Sequence, residues 1–240
     1  MWEQNLTLLR SRYTELAIQI EKTVCSNDPR WVLETSSSGH PTLVYRETEN
    51  SSGILIHSRH DPLREGRRQA EAVNNSVIIL LGFGLGYTAE ALAKSDCILI
   101  IIERRKDLFR LALENRNLHE LLAPGKVIFI LEDSGAISTV LALLEKAFPG
   151  GSIQKPHIIK NRALCTLTEE DQSWYDEIER RIHTWSSRDE INAATLQRFG
   201  TRWTKNLAAN MEGVLHLFRP WNSSYVSFFL FRHTSSGLLL

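Results

Sequence analysis

Three uninterrupted apolar runs constrain this chain more than any other feature: Val77–Leu81, Cys97–Ile102 and Val127–Leu131. A strand with one wet face alternates apolar and polar residues. These runs do not alternate, so each predicts a strand covered on both faces. A helical pattern through Ala89, Ala91, Leu92 and Ala93 follows the first run, and one over Leu108, Leu111, Ala112 and Leu113 follows the second. A third helix is predicted over residues 136–147. Strand, helix, strand, helix, strand at this spacing needs crossover connections and hence a parallel sheet. His157-Ile158-Ile159, beyond a break at Pro149-Gly150-Gly151, adds a candidate strand. The predicted class is α/β: a Rossmann-like parallel sheet with flanking helices, preceded by a helix plus a small β piece and followed by a helical connector.

The flanks read differently. Leu6, Leu9, Tyr13, Leu16, Ile20 and Val24 recur at three- and four-residue steps, which predicts one amphipathic helix over 2–24. Residues 31–60 hold short β-branched runs separated by Ser, Gly and Asn, and predict two or three antiparallel strands. Asp61 and Pro62 suit the N-cap and first turn of a short, partly exposed helix ending near residue 73. Residues 168–215 read as helical, with one stripe of Trp174, Ile178, Ile182 and Trp185 and another of Leu196, Trp203, Leu207, Met211 and Val214. Gly200 is a weak point in the second, costing about 1 kcal/mol relative to Ala. The expected parts are 1–61, a helix and small antiparallel β piece; 62–165, the α/β domain; 166–218, the connector; and 219–240, an atypical tail. That tail lacks acidic residues and shows no period. Either it is the product of a frameshift or truncation, or it is a hydrophobic segment that docks on a partner or on the core.

Chemistry is suggested in one place. Gly82-Phe83-Gly84-Leu85-Gly86-Tyr87 lies directly between a buried strand and a helix, where glycines admit a ligand and helix amides attract a phosphate or carboxylate. Glu103 ends the next strand, 17 residues after Gly86, and is expected to accept hydrogen bonds from ribose hydroxyls. The candidate cofactor-binding residues are therefore Gly82, Gly84, Gly86, Tyr87 and Glu103. The dinucleotide fingerprint would place glycine at 87; the GxGxG written here is the spacing typical of S-adenosylmethionine-dependent methyltransferases, although Leu80 stands where that class commonly has an acid. The alternative is that the glycines only permit a tight turn and close helix–strand packing, and both readings stand at this point. Weaker candidates are a metal site at His57, His60 and Asp61, and a crevice at His157, Lys160 and Asn161.

Composition excludes more than it proposes. Twenty-eight basic and 28 acidic residues give zero formal net charge, against a nucleic-acid partner. Cys25, Cys97 and Cys165 form no CxxC pair, so neither a zinc cage nor a disulfide framework is expected. Cys97 reads as a small buried hydrophobe. No metal is expected. Glu3 and Glu15 interrupt the start, which does not read as a signal peptide, and no run reaches the ~18–20 apolar residues of a membrane span, so the expected location is the cytoplasm.

The order Arg12-Tyr13-Thr14-Glu15-Leu16, Pro41-Thr42-Leu43, Leu55-Ile56-His57-Ser58-Arg59-His60-Asp61-Pro62, Leu80-Leu81-Gly82-Phe83-Gly84-Leu85-Gly86-Tyr87, Ile101-Ile102-Glu103 and Leu111 to Leu118 resembles the N-terminal region of the motility-associated factor (Maf) glycosyltransferases. The resemblance covers roughly residues 5–218, and HSxxDP and GFGLGY are its most specific pieces. It implies transfer of nonulosonic, sialic-acid-like sugars to Ser or Thr of flagellin, with flagellin and a nucleotide-activated sugar as partners of the full-length protein. It also implies an accessory Rossmann-like domain, which favours the structural reading of the glycines. The family's central, sialyltransferase-like domain opens on a segment reading approximately PAIIVGAGPSLD, whereas this chain turns into Pro220-Trp221-Asn222-Ser223-Ser224. No catalytic residue is therefore carried over. The expectation is an accessory part inactive in sugar transfer by itself; the alternatives are an S-adenosylmethionine-dependent methyltransferase using the glycine loop, and a non-enzymatic interaction module.

Overall fold

The computed structural model describes residues 1–24, 28–48, 51–71, 73, 76–123, 126–148 and 156–187, all within one unit spanning Met1–Asp189. Cys25, the stripe predicted from Leu196 to Val214 with Gly200, and the tail 219–240 lie outside the described residues.

The fold is Rossmann-like. Strands β4 (Val77–Leu81), β5 (Ile98–Glu103), β6 (Val127–Leu131) and β7 (His157–Lys160) form a parallel sheet in the order β6-β5-β4-β7. The chain winds outward from β4 through β5 to β6, then returns to place β7 on the other side of β4. The switch in direction between β4 and β7 is where open sheets of this kind form a crevice at the carboxyl ends of their strands.

The apolar runs are buried on alternating faces, as their lack of alternation requires. Ile78, Leu80, Leu99, Ile101, Val127 and Leu131 enter one core. Ile79, Leu81, Ile100, Ile102 and Ile130 enter the other. The first core is closed by α4 (Tyr87–Ala93) and α5 (Lys106–Asn115), and by the N-terminal helices and Leu43, Tyr45 and Ile56 of the small β piece. The N-terminal piece therefore shares a core with the parallel sheet. The second is closed by α7 (Ile137–Ala147) and the long α9 (Glu169–Ser186). Trp174, Ile178, Ile182 and Trp185 form the buried stripe of α9, so this part of the expected connector is itself a layer of the sandwich.

The predicted helix over 2–24 is two helices, α1 (Trp2–Arg12) and α2 (Thr14–Lys22), broken at Tyr13. Tyr13 leaves helical geometry at φ −132° and ψ 56°. Its hydroxyl donates to the Val127 carbonyl at 2.9 Å, and its ring meets Phe129 edge-on at 5.2 Å. The sheet dictates the break. Two short helices, α6 (His119–Leu122) and α8 (Arg162–Cys165), join the predicted elements. A three-stranded antiparallel sheet, β1 (Trp31–Thr35), β2 (Pro41–Tyr45) and β3 (Ile54–Leu55), lies ahead of α3 (Pro62–Glu71). Asp61 caps α3 by accepting from the Arg64 amide at 2.9 Å, with Pro62 in the first turn as expected. Cys97 is buried, with its thiol directed at the Leu92 carbonyl.

Candidate functional site: the glycine loop at the tip of β4

The loop follows β4 and opens α4, at the direction switch of the sheet. Gly82, Phe83, Gly84, Leu85, Gly86 and Tyr87 are all buried. Gly82, Gly84 and Gly86 take φ values of 83°, 58° and 81°, left-handed conformations that a side chain resists.

Each amide of the loop from Gly82 to Gly86 is satisfied from within the chain. Gly82 N–H donates to the Ile102 carbonyl at 2.9 Å, extending the sheet ladder. Phe83 N–H donates to Glu103 Oε2 at 2.6 Å, and Gly84 N–H also bonds the Glu103 carboxylate. Leu85 N–H donates to His57 Nε2 at 2.8 Å. Gly86 N–H closes a turn on the Phe83 carbonyl at 3.0 Å.

The spaces that glycine leaves beside its backbone are filled too. A methyl group on Gly84 would stand 2.5 Å from His57 Nε2, and one on Gly86 would stand 2.5 Å from the Phe83 ring. On Gly82 it would meet the Cβ atoms of Asn161 and Leu164 at 3.2 and 3.3 Å. Asn161 follows β7, so the two strand ends that frame the crevice are packed directly on each other. The Asn161 amide donates to Leu81 O at 2.8 Å, and its side chain accepts from Leu164 N at 3.2 Å.

Glu103 is held from within the protein. It is fully buried, and its Oε1 accepts the Arg105 amide at 2.8 Å and the Tyr175 hydroxyl at 3.4 Å. Its two oxygens thus meet loop amides, the next backbone turn and the Tyr175 hydroxyl of α9. Burial pushes its carboxyl above the ordinary value, opposed by the amides of Phe83, Arg105 and Gly84 and the Arg105 guanidinium. Tyr87 likewise faces the protein: its hydroxyl donates to Pro41 O, and burial pushes that phenol up to about 12.

His57, which follows β3, reaches the loop from the side of the small antiparallel sheet. It is buried and neutral, its pKa pushed down to about 3 by burial and by the Arg116 charge. Since Nε2 accepts from Leu85, the ring hydrogen resides on Nδ1. Its carbonyl accepts from Thr42 Oγ1 at 3.0 Å, and its ring meets Tyr87 edge-on at 5.2 Å. Arg116 closes the far side. It donates to the Leu85 carbonyl at 2.8 Å, pairs with Glu90, and stacks 3.6 Å from the centre of the Tyr87 ring.

The weaker candidates separate. His60 is exposed while His57 is buried, and Asp61 Oδ1 is engaged by α3, so the three do not converge. Among the described residues there is no group of three or more His, Cys, Asp or Glu placed to hold a metal. His157, Lys160 and Asn161 do share a groove of about 710 Å³, together with His57 and Glu65. Lys160 there is paired with Asp176 and Glu179. A second cavity, of about 420 Å³, lies at the ends of β5 and β6 and is lined by Trp31, Arg104, Arg105 and Lys106. Its cations are answered by Glu170, Asp171 and Asp133. No described helix is long and apolar enough to cross a membrane.

No family model matches the chain. It is 26% identical over 221 residues to an uncharacterized protein of Treponema pallidum (strain Nichols), covering 86% of this chain and 70% of that protein. Among solved structures, it is similar to the Maf glycosyltransferase of Magnetospirillum magneticum AMB-1, with a TM-score of 0.53 and 12% identity over 76% of this chain. The chain spans 35% of the length of that structure. At that identity the likeness is one of fold.

Proposed function

We propose that this chain supplies the accessory Rossmann-like part of a Maf-type glycosyltransferase, and that its glycine loop is a structural junction rather than a cofactor cradle. The sugar-transfer setting rests on the fold likeness to the Maf glycosyltransferase and on the HSxxDP and GFGLGY stretches. In that setting, transfer of a nonulosonic sugar from its nucleotide-activated form to flagellin hydroxyls is the activity this part serves, in the cytoplasm. The structural role of the loop is carried by one observation: its amides from Gly82 to Gly86 all donate within the chain. In a phosphate- or adenosyl-binding loop, amides at this position point at the ligand. Here they are spent on Glu103, His57 and the backbone.

The methyltransferase reading needs the same loop to receive S-adenosylmethionine and Glu103 to meet its ribose. Both would require breaking buried hydrogen bonds, at about 1–3 kcal/mol for each group left unsatisfied. Isothermal titration with S-adenosylmethionine and NAD separates the readings. The expected result is no binding of S-adenosylmethionine or NAD at millimolar concentration and no rise in melting temperature. Micromolar binding of S-adenosylmethionine, abolished by Glu103→Ala, would establish the methyltransferase instead.

A further inference from the structure

The contact between His57 and Leu85 has the form of a ligand contact made by the chain itself. Leu85 N–H lies in the part of a Rossmann-type loop that normally meets a bound oxygen, and its partner is an unprotonated ring nitrogen at 2.8 Å. The nitrogen arrives from outside the parallel sheet. His57 follows β3, 28 residues before Leu85, and is anchored by Thr42 Oγ1 on its carbonyl and by Glu65 on the next amide, Ser58 N, at 2.8 Å. Gly84 is shaped to the imidazole, since a Cβ there would stand only 2.5 Å from Nε2. The loop therefore presents an amide donor and a side-chain-free backbone position, both directed at one ring atom. His57 is also one of the residues lining the groove of about 710 Å³ beside β7, so its position lies next to open space.

We propose that the tip of β4 is a ligand-binding site of the Rossmann type whose ligand is the chain's own imidazole: His57 supplies the acceptor atom that a bound anion supplies in an open loop, and so ties the small antiparallel sheet to the parallel one. The site takes a flat five-membered ring with an acceptor nitrogen. This rests on the structural reading of the loop given above and deepens it by naming what the loop recognises.

The test is to vacate the site and refill it from solution. His57→Gly removes the ring, and imidazole then has a pocket of its own shape, reached from the groove. The expected result is a melting temperature several degrees below that of the unsubstituted protein, restored in a saturable manner by millimolar imidazole. Pyrrole, with the same shape but no acceptor nitrogen, restores less, and neither compound stabilises the unsubstituted protein. Equal rescue by pyrrole, or none by imidazole in a folded variant, would overturn the proposal. If His57→Gly does not fold, His57→Phe keeps the volume and removes the acceptor. Hydrogen exchange at the Leu85 amide should then quicken at least about tenfold relative to Gly86, which keeps its bond to the Phe83 carbonyl. Unchanged Leu85 protection would overturn the proposal in that case. Failure of imidazole rescue with no binding of S-adenosylmethionine would leave the structural reading of the loop intact, whereas S-adenosylmethionine binding would remove that reading as well, so the two failures are distinguishable.

Discussion

His57 shows how a single residue fixes the chemistry of a loop. A glycine loop after a buried strand offers donors, and whether it is a site depends on what those donors meet. In this chain, a histidine 28 positions upstream and a glutamate at the end of the neighbouring strand take them. The consequence is a dependence of stability on acid. In the unfolded chain His57 gains a proton at its ordinary value of 6.5, while in the folded chain it resists protonation down to about 3. Between those values the unfolded state holds the extra proton. Stability from this group is thus complete above pH 6.5 and lost as pH falls, at about 1.4 kcal/mol per pH unit. The groups around the ring are Arg116 and its partner Glu90, the Tyr87 phenol, Glu65 on α3, and Glu103 on the other side of the loop. Glu103 acts in the opposite sense: its carboxyl is raised, so acid favours the folded state through it. Urea unfolding followed from pH 7 to 5 should show the unsubstituted protein losing stability with acid relative to His57→Phe, which lacks this titrating group. An unchanged slope in the variant would assign the acid response elsewhere.

At the scale of the element, the apolar runs made β4, β5 and β6 legible because a doubly covered strand has no polar residue to spare. The stripe from Trp174 to Trp185 was legible for the same reason at helical period. Its placement was not, since periodicity tells that a face is buried and not against what. In the structure α9 covers Ile79, Leu81, Ile100 and Ile102, and Ile178 is fully buried there. Ile178→Ala should therefore cost about 2–5 kcal/mol in urea unfolding, as core truncations do. Arg180→Ala, which removes an exposed pair with Glu177, should leave the midpoint where it is. Equal effects of the two would show that α9 is not a layer of the core. The break at Tyr13 was invisible in the sequence because the local pattern continues smoothly from Leu9 to Leu16. What ends α1 is a partner more than a hundred residues away, the Val127 carbonyl.

For the whole molecule, the sequence made the class of fold and the position of the glycine loop readable, but not the state of the loop. Gly82, Gly84 and Gly86 stand where a ligand loop places them, and the same spacing serves a loop packed shut. The distinction lies in long-range contacts: His57 from the small sheet, Asn161 and Leu164 from beyond β7, Tyr175 from α9 and Arg116 from beyond α5. Of these, His57 carried a signal, as a polar residue closing an apolar strand next to a helix cap, but its neighbours His60 and Asp61 suggested metal rather than a backbone donor. The parallel sheet, the direction switch and the left-handed glycines are those of a Rossmann-like fold, and the amides of the loop are taken up by the protein itself. On the reading proposed above, that combination is what a scaffold part would show, with the loop packed by the chain itself.

The most direct test is nitrogen-15 NMR of the His57 ring in the unsubstituted protein between pH 8 and 4. The account predicts a single neutral form with hydrogen on Nδ1, an unprotonated Nε2, and a hydrogen-bond coupling from Nε2 to the Leu85 amide, unchanged across that range. A ring protonated on Nε2, or one that titrates near 6.5, would show that the loop is not filled by His57.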